Sequence, residues 1–164
     1  MTGLERNADV VHMASYAPLL AHVEAWQWRP DLIWFDNLNV IGTPNYFVQK
    51  MFSTHRGTNV ISITAAGKAL AGQDSLYASA TIDRLAGKAY IKIVNSSASK
   101  RSIVLVSDAV PAVKDAVKET LMAEHLTDFN SIADPAVITP VSKVISATGK
   151  KVNFIELDFR MWVG

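Results

Sequence analysis

The chain has 164 residues, of which 49% are apolar and 19% charged, enough apolar content for a folded core and too much for wholesale disorder. Lysine and arginine number 16 against 15 acidic residues, a net charge of +1, which argues against a protein built to bind nucleic-acid phosphates. With no cysteine, disulfides, thiolate catalysis and cysteine-rich zinc sites are excluded. His12, His22, His55 and His125 show no ligand spacing such as HExxH, so no metal and no cofactor is expected. No apolar run approaches the ~20 residues that span a bilayer. The opening residues, Met1 to Arg6, lack the basic-then-apolar order of a signal peptide, so neither membrane nor compartment is indicated.

The chain changes character near Gly57. Asn7 reads as an N-cap with Asp9 in the first turn, and Val10, Met13, Ala14 and Ala17 follow helical spacing up to Pro18. A linker with Trp26, Trp28 and Pro30 leads to Leu32-Ile33-Trp34-Phe35, apolar at consecutive positions as in a strand covered on both faces. Asp36-Asn37 close that strand, and a loop runs from Leu38 to Gly42. Thr43-Pro44 then start a helix whose stripe is Phe47, Val48, Met51, Phe52 and His55, with Gly57 as its stop. Beyond Gly57 come short strand-like runs: 58–64, 76–82, 88–95, 101–107, 117–126 (strand or short helix), 141–146 and 151–163. The Gly149-Lys150 turn makes the last pair a hairpin. Tyr90, Lys92 and Val94 alternate with Ile91 and Ile93, as on a strand with one wetter face. The expected fold is mainly β: a helix–strand–helix piece followed by an antiparallel, jelly-roll-like β-sandwich, divided at 1–57 and 58–164. A single parallel-type strand cannot cover both its own faces, so the chain is expected to be a cut from something longer.

Leu4 to Val11, Met13 to Leu19, Trp28 to Asn37 and Gly42 to Phe52 occur in order and resemble a stretch of retaining α-L-arabinofuranosidases of glycoside hydrolase family 51. From 58 onward the likeness is to the pattern of that family's C-terminal sandwich, and the ending Phe154 to Arg160 departs from the family's proline-bearing one. The resemblance implies a parent with a (β/α)8 barrel of ~250 residues, which this chain is too short to contain. Residues 7–57 would close that barrel with its eighth strand and flanking helices. The parent would remove terminal arabinofuranose units from arabinan or arabinoxylan, with the remainder of the barrel and arabinose-containing polysaccharide as partners and self-association through uncovered apolar surface.

A retaining glycosidase needs two carboxyl groups roughly 5–5.5 Å apart. The family's acid/base follows asparagine, and no Asn-Glu pair occurs here. Glu5, Glu24, Glu119, Glu124 and Glu156 all stand away from the end of a barrel-like strand, so this chain is expected to have no catalytic residue. Asp31 and Asp36 are no pair either, since five residues of strand separate them by ~16 Å. If the eighth-strand reading holds, Asn37, Asn39, Gly42 and Thr43 would rim the parent's pocket, although Asp36-Asn37 and Thr43 also suit plain turning and capping duties. Trp26 and Trp28 are expected to cover the barrel's bottom, Trp34 to be core and Trp162 to pack between sheets. A carbohydrate-binding sandwich is the alternative, and alternation offers Tyr77 and Tyr90 as its platform. Asn95-Ser96-Ser97 matches a glycosylation acceptor.

Overall fold

The computed structural model describes residues 1–106, 116–145, 147–148 and 151–157. Its elements in chain order are α1 (Thr2–Arg6), β1 (Leu20–His22), β2 (Ile33–Phe35), β3 (Val40–Gly42), α2 (Pro44–Thr54), β4 (Asn59–Ile61), β5 (Thr64–Ala65), β6 (Lys68–Ala69), β7 (Leu76–Asp83), β8 (Lys88–Asn95), β9 (Arg101–Val106), β10 (Ala116–Thr120), β11 (Val141–Ile145), β12 (Ala147–Thr148) and β13 (Lys151–Leu157). Short sheets are ordered β1-β2-β3, β4-β7-β8, β5-β6, β10-β11 and β12-β13-β9. All pairings except β1–β2 are antiparallel. The expected mainly β, antiparallel class is therefore what the chain adopts. The turn 149–150, the segment 158–163 and Trp162 lie outside the described residues.

The N-terminal region departs most from expectation. The helix is Thr2–Arg6, and Asn7 closes it: its Nδ2 donates to Gly3 O at 2.7 Å and its backbone N–H to the same oxygen at 3.2 Å. Residues 11–16 carry no regular structure, so His12 is not on a helix. Helical spacing alone does not hold a helix in water without an apolar surface to pack on, and Val10 and Met13 are 75% and 89% exposed. The strand at Ile33–Phe35 is not alone. It pairs parallel with β1 (Ala21↔Trp34) and antiparallel with β3 (Trp34↔Ile41), so the expected loop 38–42 is partly a strand. Ile33, Trp34 and Phe35 are half-buried rather than covered on both faces, and the buried apolar positions nearby are Ala21, Leu32 and Ile41.

α2 starts as its residues dictate. Thr43 Oγ1 accepts from Tyr46 N–H at 3.4 Å and donates to Leu32 O at 2.9 Å, tying the cap to β2, and Pro44 occupies the first turn. The helix ends with His55 as its cap, two residues before Gly57.

β7 is the central strand of the β4-β7-β8 sheet. Ala78, Ala80 and Ile82 on one face are 0%, 2% and 6% exposed, while Ser79 and Thr81 on the other are 0% and 4%. The register sets Ser79 opposite Lys92 and Thr81 opposite Tyr90, so these four share a face. Both helices lie over it. Glu5 of α1 pairs with Lys92 and accepts from Ser79 Oγ at 2.6 Å. Arg6 donates to Ala78 O at 2.8 Å and Leu70 O at 3.3 Å. Phe52 of α2 sits 5.5 Å from Lys92 Nζ, and the His55 ring 5.9 Å from that of Tyr90. The face expected to be wetter is thus the one beneath the helices, and its lysine side chain is only 11% exposed.

The run 117–126 is a strand only to Thr120 and then a loop holding Glu124 and His125. That loop reaches back to the first region through Asn130, which is 6% exposed. Asn130 Nδ2 donates to Gly42 O at 3.0 Å and Ile138 O at 2.9 Å, and Oδ1 accepts from Ile138 N–H at 2.7 Å. Asn130→Ala strips partners from three backbone groups, and unsatisfied buried groups cost ~1–3 kcal/mol each before water relieves them. A net loss of about 2 kcal/mol is expected in urea unfolding, and a loss below about 0.5 kcal/mol would show that the bridge is dispensable.

Candidate functional site

The four positions expected at a pocket rim do not converge. Asn37 and Asn39 are exposed at the tip of the β2–β3 hairpin, next to the C-terminal end of β2. Gly42 and Thr43 lie at the opposite end, where Gly42 pairs with Ile33. The Gly42 carbonyl is taken by Asn130, and a Cβ at Gly42 would stand 2.4 Å from the Tyr46 ring, so the glycine makes room for that ring. Thr43 is engaged as the α2 cap.

The hairpin tip is organised by Asp36. Its Oδ1 accepts from Leu38 N–H at 2.7 Å and Asn39 N–H at 2.6 Å, and the Asn39 side chain adds bonds at 3.2 Å to both carboxylate oxygens. The Leu38 N–H chiefly, then the Asn39 side chain and N–H, hold the Asp36 carboxyl below its usual 3.8, with a smaller contribution from His22. A depressed folded value means that the turn's stabilisation is present above 3.8 and is lost as pH falls through the folded value. A carbon-detected NMR titration should therefore place the Asp36 midpoint below 3.8, and a midpoint at or above it would show the turn bonds to be absent in solution.

Beside the hairpin lies a cavity of about 380 Å³ lined by His22, Trp26, Trp28, Asp31 and Phe35 among others. Trp26 and Trp28 are 44% and 68% exposed. Trp26 meets Trp34 edge to face at 5.9 Å, and the Arg29 guanidinium stands 4.4 Å and 5.2 Å from the two rings. Trp34 is therefore an aromatic partner at the sheet surface, not a fully enclosed core residue.

The remaining candidates find structural duties. Glu5 is engaged by Lys92 and Ser79, and Glu119 Oε2 lies 3.3 Å from His55 Nδ1, an ion-pair distance without hydrogen-bond alignment. Glu24 and Glu124 are exposed in loops. Among the described residues, no three histidines or acids group as a metal site, and no helix is long and apolar enough to cross a membrane. Tyr90 is half-buried under His55 and the Tyr77 ring rests on Gly72, so the two do not form an open sugar platform. Asn95 is 1% exposed in the fold, its Nδ2 donating to Ser99 O at 2.8 Å and its Oδ1 accepting from Ser97 Oγ at 2.7 Å, so this side chain closes a turn inside the domain. Nothing in the spacing of Glu5 and Lys92 announced their pairing.

Small antiparallel sheets, a helix laid across the central one and an attached mixed three-stranded sheet define a β-rich domain. The model of the alpha-L-arabinofuranosidase C-terminal domain matches residues 1–159, and the chain belongs to that family. It is 36% identical over 161 residues to alpha-L-arabinofuranosidase 1 of Arabidopsis thaliana, covering 94% of this chain and 23% of that protein. To the extracellular exo-alpha-L-arabinofuranosidase of Streptomyces chartreusis it is 59% identical over 61 residues, 37% of this chain and 7% of that one. Among solved structures, the arabinose-bound MgGH51 a-L-arabinofuranosidase superposes with a TM-score of 0.82 at 32% identity, over 94% of this chain and 24% of that one. The GH51 enzyme of Thermotoga petrophila shares the fold, with a TM-score of 0.75 at 19% identity, over 96% and 34% of the two chains. The chain thus spans about a quarter of the length of full relatives such as the Arabidopsis one, 23%.

Proposed function

We propose that the chain is the non-catalytic C-terminal portion of a retaining α-L-arabinofuranosidase, which releases terminal α-L-arabinofuranosyl residues from arabinan or arabinoxylan. The observation that carries this reading is β1–β2: a short parallel pair whose surroundings leave Val10, Met13, Leu20, Leu38 and Val40 between 58% and 92% exposed. A parallel pair is stable where helices or further strands cover it, so the rest of a barrel is the natural cover. In this reading residues 1–57 complete the barrel, 58–164 form the supporting sandwich, and Asn37 and Asn39 reach the pocket rim while Gly42 and Thr43 hold the strand behind it.

The engagement of the glutamates supports catalytic silence. Among the described residues, Glu5 is held by Lys92 and Ser79, and Glu119 Oε2 lies 3.3 Å from His55 Nδ1, so neither is placed as a nucleophile or acid/base. The purified 164-residue chain is expected to release no product from an aryl α-L-arabinofuranoside, whereas the longer protein turns it over. Saturable hydrolysis by the chain alone would sink the assignment.

A further inference from the structure

Asp31 is a buried acid in want of a partner. It is 2% exposed, and its Oδ2 has no hydrogen-bond donor. A carboxylate oxygen withdrawn from water without a donor is costly, and such groups are normally met by a hydrogen-bonding cation. Asp31 lines the cavity of about 380 Å³ between the tryptophan loop and β1. That cavity's aromatic wall suits a planar cation, as Arg29 shows by standing 4.4 Å from the Trp26 ring. Arg29 itself makes no ion pair with Asp31 among the described residues. A sugar would bring hydroxyl donors but would leave the negative charge uncompensated, whereas a guanidinium both compensates it and stacks on indole.

We propose that the Asp31 carboxylate receives an arginine or lysine side chain from the remaining part of the longer protein, inserted beside Trp28. The ion pair so formed seals the junction between this chain and the part that precedes it. The partner is placed there because this chain is only 23% of a full relative's length, and because the cavity opens beside the uncovered parallel pair. The proposal rests on the reading of the chain as a portion of a longer arabinofuranosidase.

The test compares Asp31→Asn in two settings, each by thermal melting. In the longer protein the variant breaks a buried pair, and its melting temperature is expected to fall by about 5 °C. In the 164-residue chain the same change removes an unpaired charge, so the melting temperature should hold or rise. An unchanged melting temperature in the longer protein overturns the proposal, however the isolated chain behaves. Equal falls in both settings overturn it as well, by showing that the partner lies within this chain. Melting with added L-arabinose supplies the remaining arm: stabilisation of the wild type that Asp31→Asn abolishes would give the cavity to a sugar instead. Failure of the wild-type longer protein to hydrolyse arabinofuranosides would remove the proposed function and leave the melting comparison intact.

Discussion

Lys92→Met is expected to destabilise the protein by about 3 kcal/mol, because it strands a nearly buried carboxylate. Lys92 and Glu5 side chains are 11% and 14% exposed, so water can do little for the survivor. Ser79 Oγ stays at 2.6 Å from Glu5, but one hydroxyl does not replace an ammonium. The consequence reaches past one bond, since the pair fastens α1 to β7–β8 and Lys92 also stands over the Phe52 ring of α2. Glu5→Gln in the same background removes the stranded charge, so the double variant should recover about 1–3 kcal/mol relative to additivity. Urea unfolding of the wild type, both single variants and the double variant measures this directly. Strict additivity would mean that the two residues do not interact in solution. Added salt should barely weaken the pair, since screening acts on exposed charges.

Gly57→Ala should cost about 3 kcal/mol, at the upper end of overpacking penalties. A Cβ there would stand 2.5–2.6 Å from the backbone N, C and O of Ile82. A clashing side chain can rotate away, but those atoms belong to the strand that Ala80 and Ile82 anchor in the core, and the Gly57 N–H donates to Thr81 Oγ1 at 2.9 Å. Gly67→Ala is the control: its φ is +76° with nothing within 4 Å, so only the left-handed conformational penalty of ~1–2 kcal/mol applies. If unfolding by urea gives the two variants equal losses, the close approach of Gly57 to β7 is refuted.

These two positions also show how far the residues could be read. Gly57 stands out in the sequence as a helix stop, yet the helix ends at His55 and the glycine is required by a backbone it meets across 25 residues, from position 57 to 82. Lys92 reads as the polar half of an alternating strand, and alternation does assign it to one face. Alternation says nothing of which face is wet, and α1 arriving from residues 2–6 decides that. Asn7 fails in the same way: asparagine suits either end of a helix, and the sequence offers no sign of which side the helix lies on.

The sequence by itself determined what depends on neighbours a few residues apart. The Thr43-Pro44 helix start, the strand Lys88–Asn95 and the Asp36 turn are all local hydrogen bonding and dihedral preference. The family motifs, carried in order along the chain, belong with them. Only the tertiary structure decided the rest. β1 is three residues long, too short for any period to show, and exists because Ile33–Phe35 offers it a ladder. The burial of Lys92, the bridge from Asn130 to Gly42 and the unpartnered Oδ2 of Asp31 depend on packing that no local pattern records. Burial and long-range pairing are properties of the packed chain, and a linear pattern does not specify which of its polar groups will be taken out of water.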